Sequence, residues 1–380
     1  TTAEEAQVPR NTEAEVREQI AQDLDDALTA INTTPAARGR IAKGAVLATK
    51  MREALYYGDW QKAKDAAQAI IDLKQYELDS DYENLFKLSG IDSKEIILAD
   101  QRLESVFGLG VIGQMYNNDD AGWSSIVPTQ NLVDMYEMDN GLTKEEATGY
   151  YDAKHPFANR DPRMDMTILY PGQEWRGKIL NTLDEKLADG SKNKNFPTYT
   201  DNASKTALTW AKYLDPYEQY SNTAACVIIF RYAEVLLSWA EAENELNGPS
   251  DQVYNYIDQI RERVGMPKVV RTKYDTQDKL RELIRRERCV EFAGEGLRRA
   301  DILRWKDAGG KMLAETLMSG DLKRITGAIN YSETDPYKRA EVTGTATIET
   351  RKFAPKNRYL PFSQTDVLDK NPNIKQNPGY

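Results

Sequence analysis

The stretch YYGDWQKAKDAAQAII, residues 56–71, decides the fold. Gly58–Asp59 is a link too short for anything but a tight reversal. Trp60 follows the turn, and the small residues Ala63, Ala66 and Ala67 line the next helix. Small side chains at those positions let two antiparallel helices approach closely, as a stack of helical hairpins requires. Trp60 is then a wedge between hairpins.

The pattern approximates the second half of a tetratricopeptide repeat. Outward from it, helices are expected over 15–31, 41–57 and 60–73. In the first, Val16, Ile20, Leu24 and Leu28 fall on one face at the spacing of a buried stripe. Helical periodicity returns in IIFRYAEVLLSWAEAENELN (228–247) and DQVYNYIDQIRERVG (251–265), joined by a Gly-containing link, and the last helices span 277–308. Between the two sets, residues 81–225 are rich in Gly, Asn, Asp, Pro and aromatics. Long loops of this kind inside a large domain are usually functional. The expected organisation is one mainly α domain over 1–380: N-terminal hairpins (10–80), a loop-rich ligand-face insertion (81–225), C-terminal hairpins (226–308), and an irregular tail (309–380) packed on the body.

Composition narrows the function. The chain of 380 residues is 40% hydrophobic and 29% charged, the balance of a globular protein. A formal charge of −10, with no long Lys/Arg run, argues against nucleic acid. The longest apolar run, AACVIIF (224–230), is far short of a membrane span. The opening TTAEEAQVPRNTEAEV shows no charged start before an apolar stretch, so no signal peptide is expected in these residues. Cys226 and Cys289 are too few for a disulfide framework or metal knuckle; buried free thiols are expected, a single bridge between them being the alternative. His155, the one histidine, rules out a His-based zinc cluster.

One motif invites a catalytic reading. In RERCVEFAGEGLRRADILRW (286–305), Glu287, Glu291 and Glu295 recur every fourth residue. On a helix such neighbours sit about 5–6 Å apart at Cβ, overlapping the roughly 5–5.5 Å between the carboxyls of a retaining glycosidase. The chemistry argues otherwise. Arg285, Arg286 and Arg288 crowd one end and Arg298, Arg299 and Arg304 the other. Cations favour the ionised carboxylate, and an ionised pair has no proton to give a leaving group. The expectation is a structural Arg–Glu network of Glu287, Arg288, Glu291, Glu295, Arg298 and Arg304, with Phe292, Leu297, Ile302 and Trp305 in the core. RDPR (160–163) reads as a salt-bridged turn, and Trp210 and Trp239 as core.

Ligand candidates come from the insertion. Tyr116, Asn117, Asn118, Asp119, Asp120 and Trp123 put aromatic rings beside amides and carboxylates, and Gln173, Trp175 and Arg176 form a second group in the turn PGQEWRG. A sugar stacks its CH face on such a ring while its hydroxyls meet the polar side chains. The oxygens of Asn118, Asp119 and Asp120 suit Ca²⁺, but the spacing matches no EF-hand and a solvated acidic turn is expected.

Several ordered blocks resemble one family. RYAEVLLSWAEAENELNG, YNYIDQIRERVG, RERCVEFAGEGLRRADILRW and YLPFSQTDVLDKNPNIKQNPGY resemble the SusD/RagB family of surface nutrient-capturing lipoproteins. So do VPRNTEAEVREQIAQDLDDAL, GRIAKGAVLATKMREALYYGDWQKA, NGLTKEEATGYYD, FANRDPRMDMTILYPG and AKYLDPY, and the resemblance covers nearly the whole chain. It implies a mainly α, tetratricopeptide-like scaffold with a loop-built face binding an oligosaccharide or polysaccharide, and no catalysis. It also implies an outer-membrane, surface-exposed location and a SusC-like TonB-dependent transporter as partner. A peptide ligand, or a protein-only adaptor role for the hairpins, is the alternative. Family members begin with a lipoprotein signal, an anchored cysteine and a further stretch of chain, which these residues do not include.

Overall fold

The computed structural model describes residues 2, 5, 7–37, 39–103, 110–215 and 226–380; parts of the expected loop-rich insertion, 104–109 and 216–225, lie outside the described residues. In chain order the helices and strands are α1 (Glu13–Ala30), α2 (Lys43–Tyr57), α3 (Trp60–Asp72), β1 (Ile96–Asp100), α4 (Gln130–Met135) and α5 (Arg163–Thr167). The short strands β2 (Ile168–Leu169), β3 (Glu174–Trp175), β4 (Lys178–Ile179) and β5 (Thr209–Trp210) follow. Then come β6 (Val227–Arg231), α6 (Tyr232–Asn247), α7 (Asp251–Arg263), α8 (Gln277–Glu291), α9 (Arg298–Arg304), α10 (Leu313–Leu317), β7 (Gly320–Ile329) and β8 (Ala340–Arg351). Among the described residues the strands form two-stranded sheets only: β1 with β6, β2 with β5, β3 with β4 and β7 with β8. The architecture is mainly helical.

The chain divides into two compact units, each assembled from distant segments. The larger comprises Asn32–Arg298 and Asp321–Glu349. Its centre is α6, which is buried over most of its circumference from Ala233 to Asn244. The helices packed around it are α2, α3, α7 and α8, and its buried acids are paired, Glu234 with Arg52 at 2.6 Å and Glu243 with Lys64 at 2.6 Å. The α2–α3 reversal is built by Gly58 at φ 76°, whose left-handed conformation closes α2 while the Asp59 N–H returns to the Ala54 carbonyl at 2.9 Å. Ala63, Ala66, Ala67 and Ile70 of α3 are buried. Trp60 packs half-buried with Ala54, Leu55, Ala63 and Ala242, a wedge between helices. Trp239 of α6 donates its indole N–H to Gln68 at 3.0 Å and meets Tyr256 edge-on at 5.1 Å.

The insertion has little regular structure, and polar side chains order it. The buried Arg160 guanidinium donates to the carbonyls of Pro156 (2.8 Å), Val133 (2.6 Å) and Tyr136 (2.7 Å), satisfying loop backbone that no ladder reaches. Trp210 is buried on β5 rather than on a helix.

The smaller unit comprises Thr1–Ile31, Arg299–Gly320 and Thr350–Tyr380. Ile302, Trp305, Met312 and Ala314 form its apolar centre. Tail asparagines hold the segment before α1: Asn371 donates to the Val8 carbonyl at 3.0 Å and Asn373 to that of Gln7 at 2.6 Å. Thr12 and Glu15 close a reciprocal capping box at the start of α1.

Two expectations need correction. No residue of α1 is buried, and Val16 and Ile20 of the apolar stripe are exposed. Periodicity reports that a helix has an apolar face, not that something covers it. The helices expected over 277–308 are α8 and α9, separated after Glu291 by a turn in which Gly294 and Gly296 take φ near 80°. The tail is not irregular throughout, because β7 and β8 are ten and twelve residues long. Their β-branched residues Ile325, Ile329, Val342, Thr343, Thr345 and Thr347 give a strand signal that the surrounding turn residues obscured. Cys226 and Cys289 are buried and unbridged.

Since only glycine adopts the Gly58 conformation without penalty, Gly58→Ala is expected to lower the free energy of unfolding by about 1 kcal/mol in urea titration.

Candidate functional site

The carboxylate stripe lies wholly inside the larger unit. Glu287 meets Arg163 at 3.0 Å and also Arg261. Glu291 meets Arg163 at 3.1 Å and Arg231 at 2.8 Å, and Arg263 as well. Glu295, on the turn beyond α8, meets Arg231 at 2.7 Å and Lys212 at 2.6 Å. Three further acids complete the array: Glu95 on Arg231 (2.7 Å) and Arg263 (2.9 Å), Glu137 on Arg261 (2.9 Å), and Asp161 on Arg163 (2.6 Å).

The electrostatics follow from that geometry. Burial alone would raise the Glu291 carboxyl, but Arg263, Arg231 and Arg163 outweigh it and hold the group well below the usual carboxylate range. Burial likewise opposes, and Arg163 with Arg261 overcomes, the shift at Glu287; Arg231 and Lys212 do so at Glu295. All three are ionised at neutral pH. Lys212 is pushed down to about 8 by burial, against the pull of Glu295. No member of the stripe holds a proton to donate, so the arrangement cannot act as a glycosidase acid.

The stripe's partners differ from those read in the sequence. Arg288 turns towards α6, 3.6 Å from Glu241 and donating to Ser238 at 3.3 Å. Arg304 pairs with Asp301 of α9 at 2.7 Å, and Arg298 stands at the start of that helix. The cations that pair with the stripe, Arg163, Lys212, Arg231, and Arg261 with Arg263 on α7, come from four places along the chain. Each lies in a quoted block, and the available signal is a lone cation inside an apolar run, as in IIFRY.

The two loop groups meet through Asp120. Its carboxylate accepts the Trp175 indole N–H at 2.6 Å and faces Arg176 at 3.3 Å. Asn117, itself buried, donates to Asp120 at 2.7 Å and caps the short turn that carries it. The Asn195 side-chain oxygen Oδ1 accepts the Asn118 backbone N–H at 3.0 Å, and its side-chain Nδ2 donates to Asp119 at 2.8 Å. Asp119 and Asp120 thus serve different partners. Among the described residues no group of three or more His, Cys, Asp or Glu is placed to hold a metal ion. Tyr116 is buried in the apolar core, its hydroxyl bonded to the Asp215 carbonyl at 2.9 Å, so it offers no open ring face. Trp123 is 45% exposed and is not among the cavity's lining residues.

Trp175 and Arg176 sit on a two-residue hairpin, β3–β4, whose turn residues Arg176 and Gly177 both take positive φ (51° and 72°). This turn presents them to a cavity of about 820 Å³. Gln173, Tyr170, Asp165 and Tyr337 also line it. Burial raises the Asp165 carboxyl, while Tyr337 and Tyr170 donate hydroxyls to it. The sequence reading missed Asp165, Tyr170 and Tyr337. The first two lie within the block FANRDPRMDMTILYPG, and Tyr337 lies between β7 and β8, in the segment expected to be irregular. His155 places Nδ1 3.2 Å from the Ala340 carbonyl, away from these groups.

Comparison with known proteins gives a consistent picture. A model described as the SusD family matches residues 94–380. SusD-like protein P25 of Formosa agariphila is 28% identical over 291 residues, covering 70% of this chain and 50% of that protein. SusD-like protein P2 of the same organism is 26% identical over 317 residues, 79% of this chain and 57% of that protein. The chain therefore spans about half the length of the curated relatives it matches. A SusD-like carbohydrate binding protein from Bacteroides fragilis superposes with a TM-score of 0.82 at 27% identity, over 99% of this chain and 74% of that one. Surface glycan-binding protein A of Bacteroides uniformis shares the fold at a TM-score of 0.60 and 17% identity, over 97% of this chain and 70% of that one.

Glu291→Gln is expected to cost about 3–5 kcal/mol in denaturant titration, because it leaves three buried guanidiniums short of an anion. The wild-type acid profile follows from the depressed carboxyls. Their stabilisation is full above the unfolded glutamate value of about 4.3 and is lost as pH falls towards the lower folded values. The melting temperature should hold above about pH 5 and drop steeply below about pH 4. Glu291→Gln, with one fewer proton to take up, should show the shallower drop.

Proposed function

This chain belongs to the SusD family, and we propose from that premise that it is a cell-surface binding protein whose ligand is an oligosaccharide or polysaccharide held at the Trp175 cavity. The family is one of binding proteins, not enzymes. The single observation that supports the site is the joining of the two loop groups by Asp120, which fixes Trp175 and Arg176 at the mouth of a cavity that Gln173, Tyr170, Asp165 and Tyr337 also line. An aromatic ring held by its own N–H is pre-ordered for stacking, so little entropy is lost when a sugar ring settles on it. The Bacteroides fragilis relative is described as a carbohydrate binding protein, which supports the ligand class. Delivery to a TonB-dependent, SusC-like outer-membrane transporter, from a lipid-anchored position at the cell surface, is the role that the family resemblance implies for such a protein. No helix among the described residues is long and apolar enough to cross a membrane.

Titration with an oligosaccharide panel is expected to find a binder. Trp175→Ala should weaken it at least about tenfold, the loss of one stacking anchor, with the circular dichroism spectrum unchanged. Trp123→Ala, outside the cavity lining, should change affinity by less than about twofold. A wild-type protein that binds no saccharide defeats the reading. For the transporter, affinity capture from membranes of an organism carrying the full-length protein should recover a β-barrel receptor, and failure to recover one counts against that role.

A further inference from the structure

The charges lining the cavity are not equivalent. Lys87 is bonded to Glu83 at 2.5 Å, and Arg176 faces Asp120 at 3.3 Å. Glu174 is met from outside by Arg339 at 3.2 Å. Asp165 differs from all of these: its partners are two phenols, the Tyr170 hydroxyl at 2.8 Å on one oxygen and the Tyr337 hydroxyl at 2.7 Å on the other. The two tyrosines come from separate segments, one after β2 and one between β7 and β8, and they grip a half-buried carboxylate from both sides. Each Asp165 oxygen has spent one acceptor position and keeps another. Each tyrosine oxygen, its proton committed to Asp165, can still accept.

An array of this kind offers acceptors on a surface whose cations are already matched. Resting on the reading of the cavity as a saccharide site, we infer that Asp165, with Tyr170 and Tyr337, selects neutral sugars bearing adjacent free hydroxyls and rejects acidic ones. Two neighbouring hydroxyls donate to the carboxylate oxygens while the ring's CH face lies on Trp175. A uronate or sulfate at the same place sets a second anion against Asp165, whose own hydrogen bonds bring no cation to neutralise it. Like charges forced together in a partly desolvated site are a direct means of excluding the wrong ligand. Hydroxyls donating to an ionised acceptor make the stronger class of hydrogen bond.

The test uses pairs of oligosaccharides in gluco, manno and galacto configurations, each neutral glycan matched by its C6-oxidised uronate, titrated at constant ionic strength. In every pair that binds, the neutral member should bind at least about tenfold more tightly. Asp165→Asn removes the charge and keeps one acceptor oxygen, while at the other position an amide NH2 donates and the tyrosine there turns from donor to acceptor. This variant should raise uronate affinity several-fold and shrink the neutral-to-acid ratio. Tyr337→Phe, at a half-exposed position, should weaken the neutral ligand several-fold by freeing one side of Asp165. A uronate that binds wild type as well as its neutral partner overturns the inference and leaves the saccharide site standing. So does a ratio unchanged in both variants. If no member of any pair binds, the saccharide reading of the cavity falls, and this selection with it.

Discussion

An arginine or glutamate stripped of water is tolerable only when opposite charge and hydrogen bonds replace the hydration it has lost. The larger unit meets that constraint with one continuous array. Glu95, Glu137, Asp161, Glu287, Glu291 and Glu295 interlock with Arg163, Arg231, Arg261, Arg263 and Lys212. The array fixes the irregular insertion to the helical hairpins. Arg163 shows how: one guanidinium binds Asp161, two residues away in its own turn, and also Glu287 and Glu291 on α8. A loop-rich stretch with few ladder hydrogen bonds thereby acquires a rigid reference. Most of the cavity lining comes from the same stretch, with Asp165 on the helix that Arg163 opens and Tyr337 added from the connection between β7 and β8.

Part of this was legible in the residues themselves. Gly58 and the alanines of α3 announced a close helix pair because only glycine takes that turn and only small side chains permit that approach. The arginine-crowded stripe announced its own lack of catalytic power, since the effect of nearby cations on a carboxyl does not depend on which cations they are. The identity of the partners was not legible. Arg163 and Glu287 are 124 residues apart, and Arg231 and Glu95 are 136 apart, separations at which no spacing rule operates.

The cavity was half legible for a related reason. Trp175, Arg176 and Gln173 stood out together in a short turn rich in recognition chemistry, and Asp120 in another. Their union through Asp120 and the Trp175 N–H is a tertiary fact. Tyr337 could not be found locally, because its relevance depends on β7 and β8 returning the chain to Asp165. The stripe on α1 shows the opposite limit: Val16 and Ile20 satisfy every local criterion of a core position and are exposed nonetheless.

The distribution of the ion array along the chain bears on how the molecule reaches its native state. The carboxylates of α8 and the turn after it require cations that arrive with the insertion and with α7, so neither set can be dehydrated before the other is in place. Hairpins α2–α3 and α6–α7, held by neighbours in sequence, can form early, whereas the charged centre closes only once remote parts of the polypeptide have converged. Such a high contact order slows the final step and makes it concerted. Arg261 and Arg263 can meet Glu287 and Glu291 from the neighbouring helix, but the centre reaches full charge balance only when the insertion delivers Arg163 and Lys212.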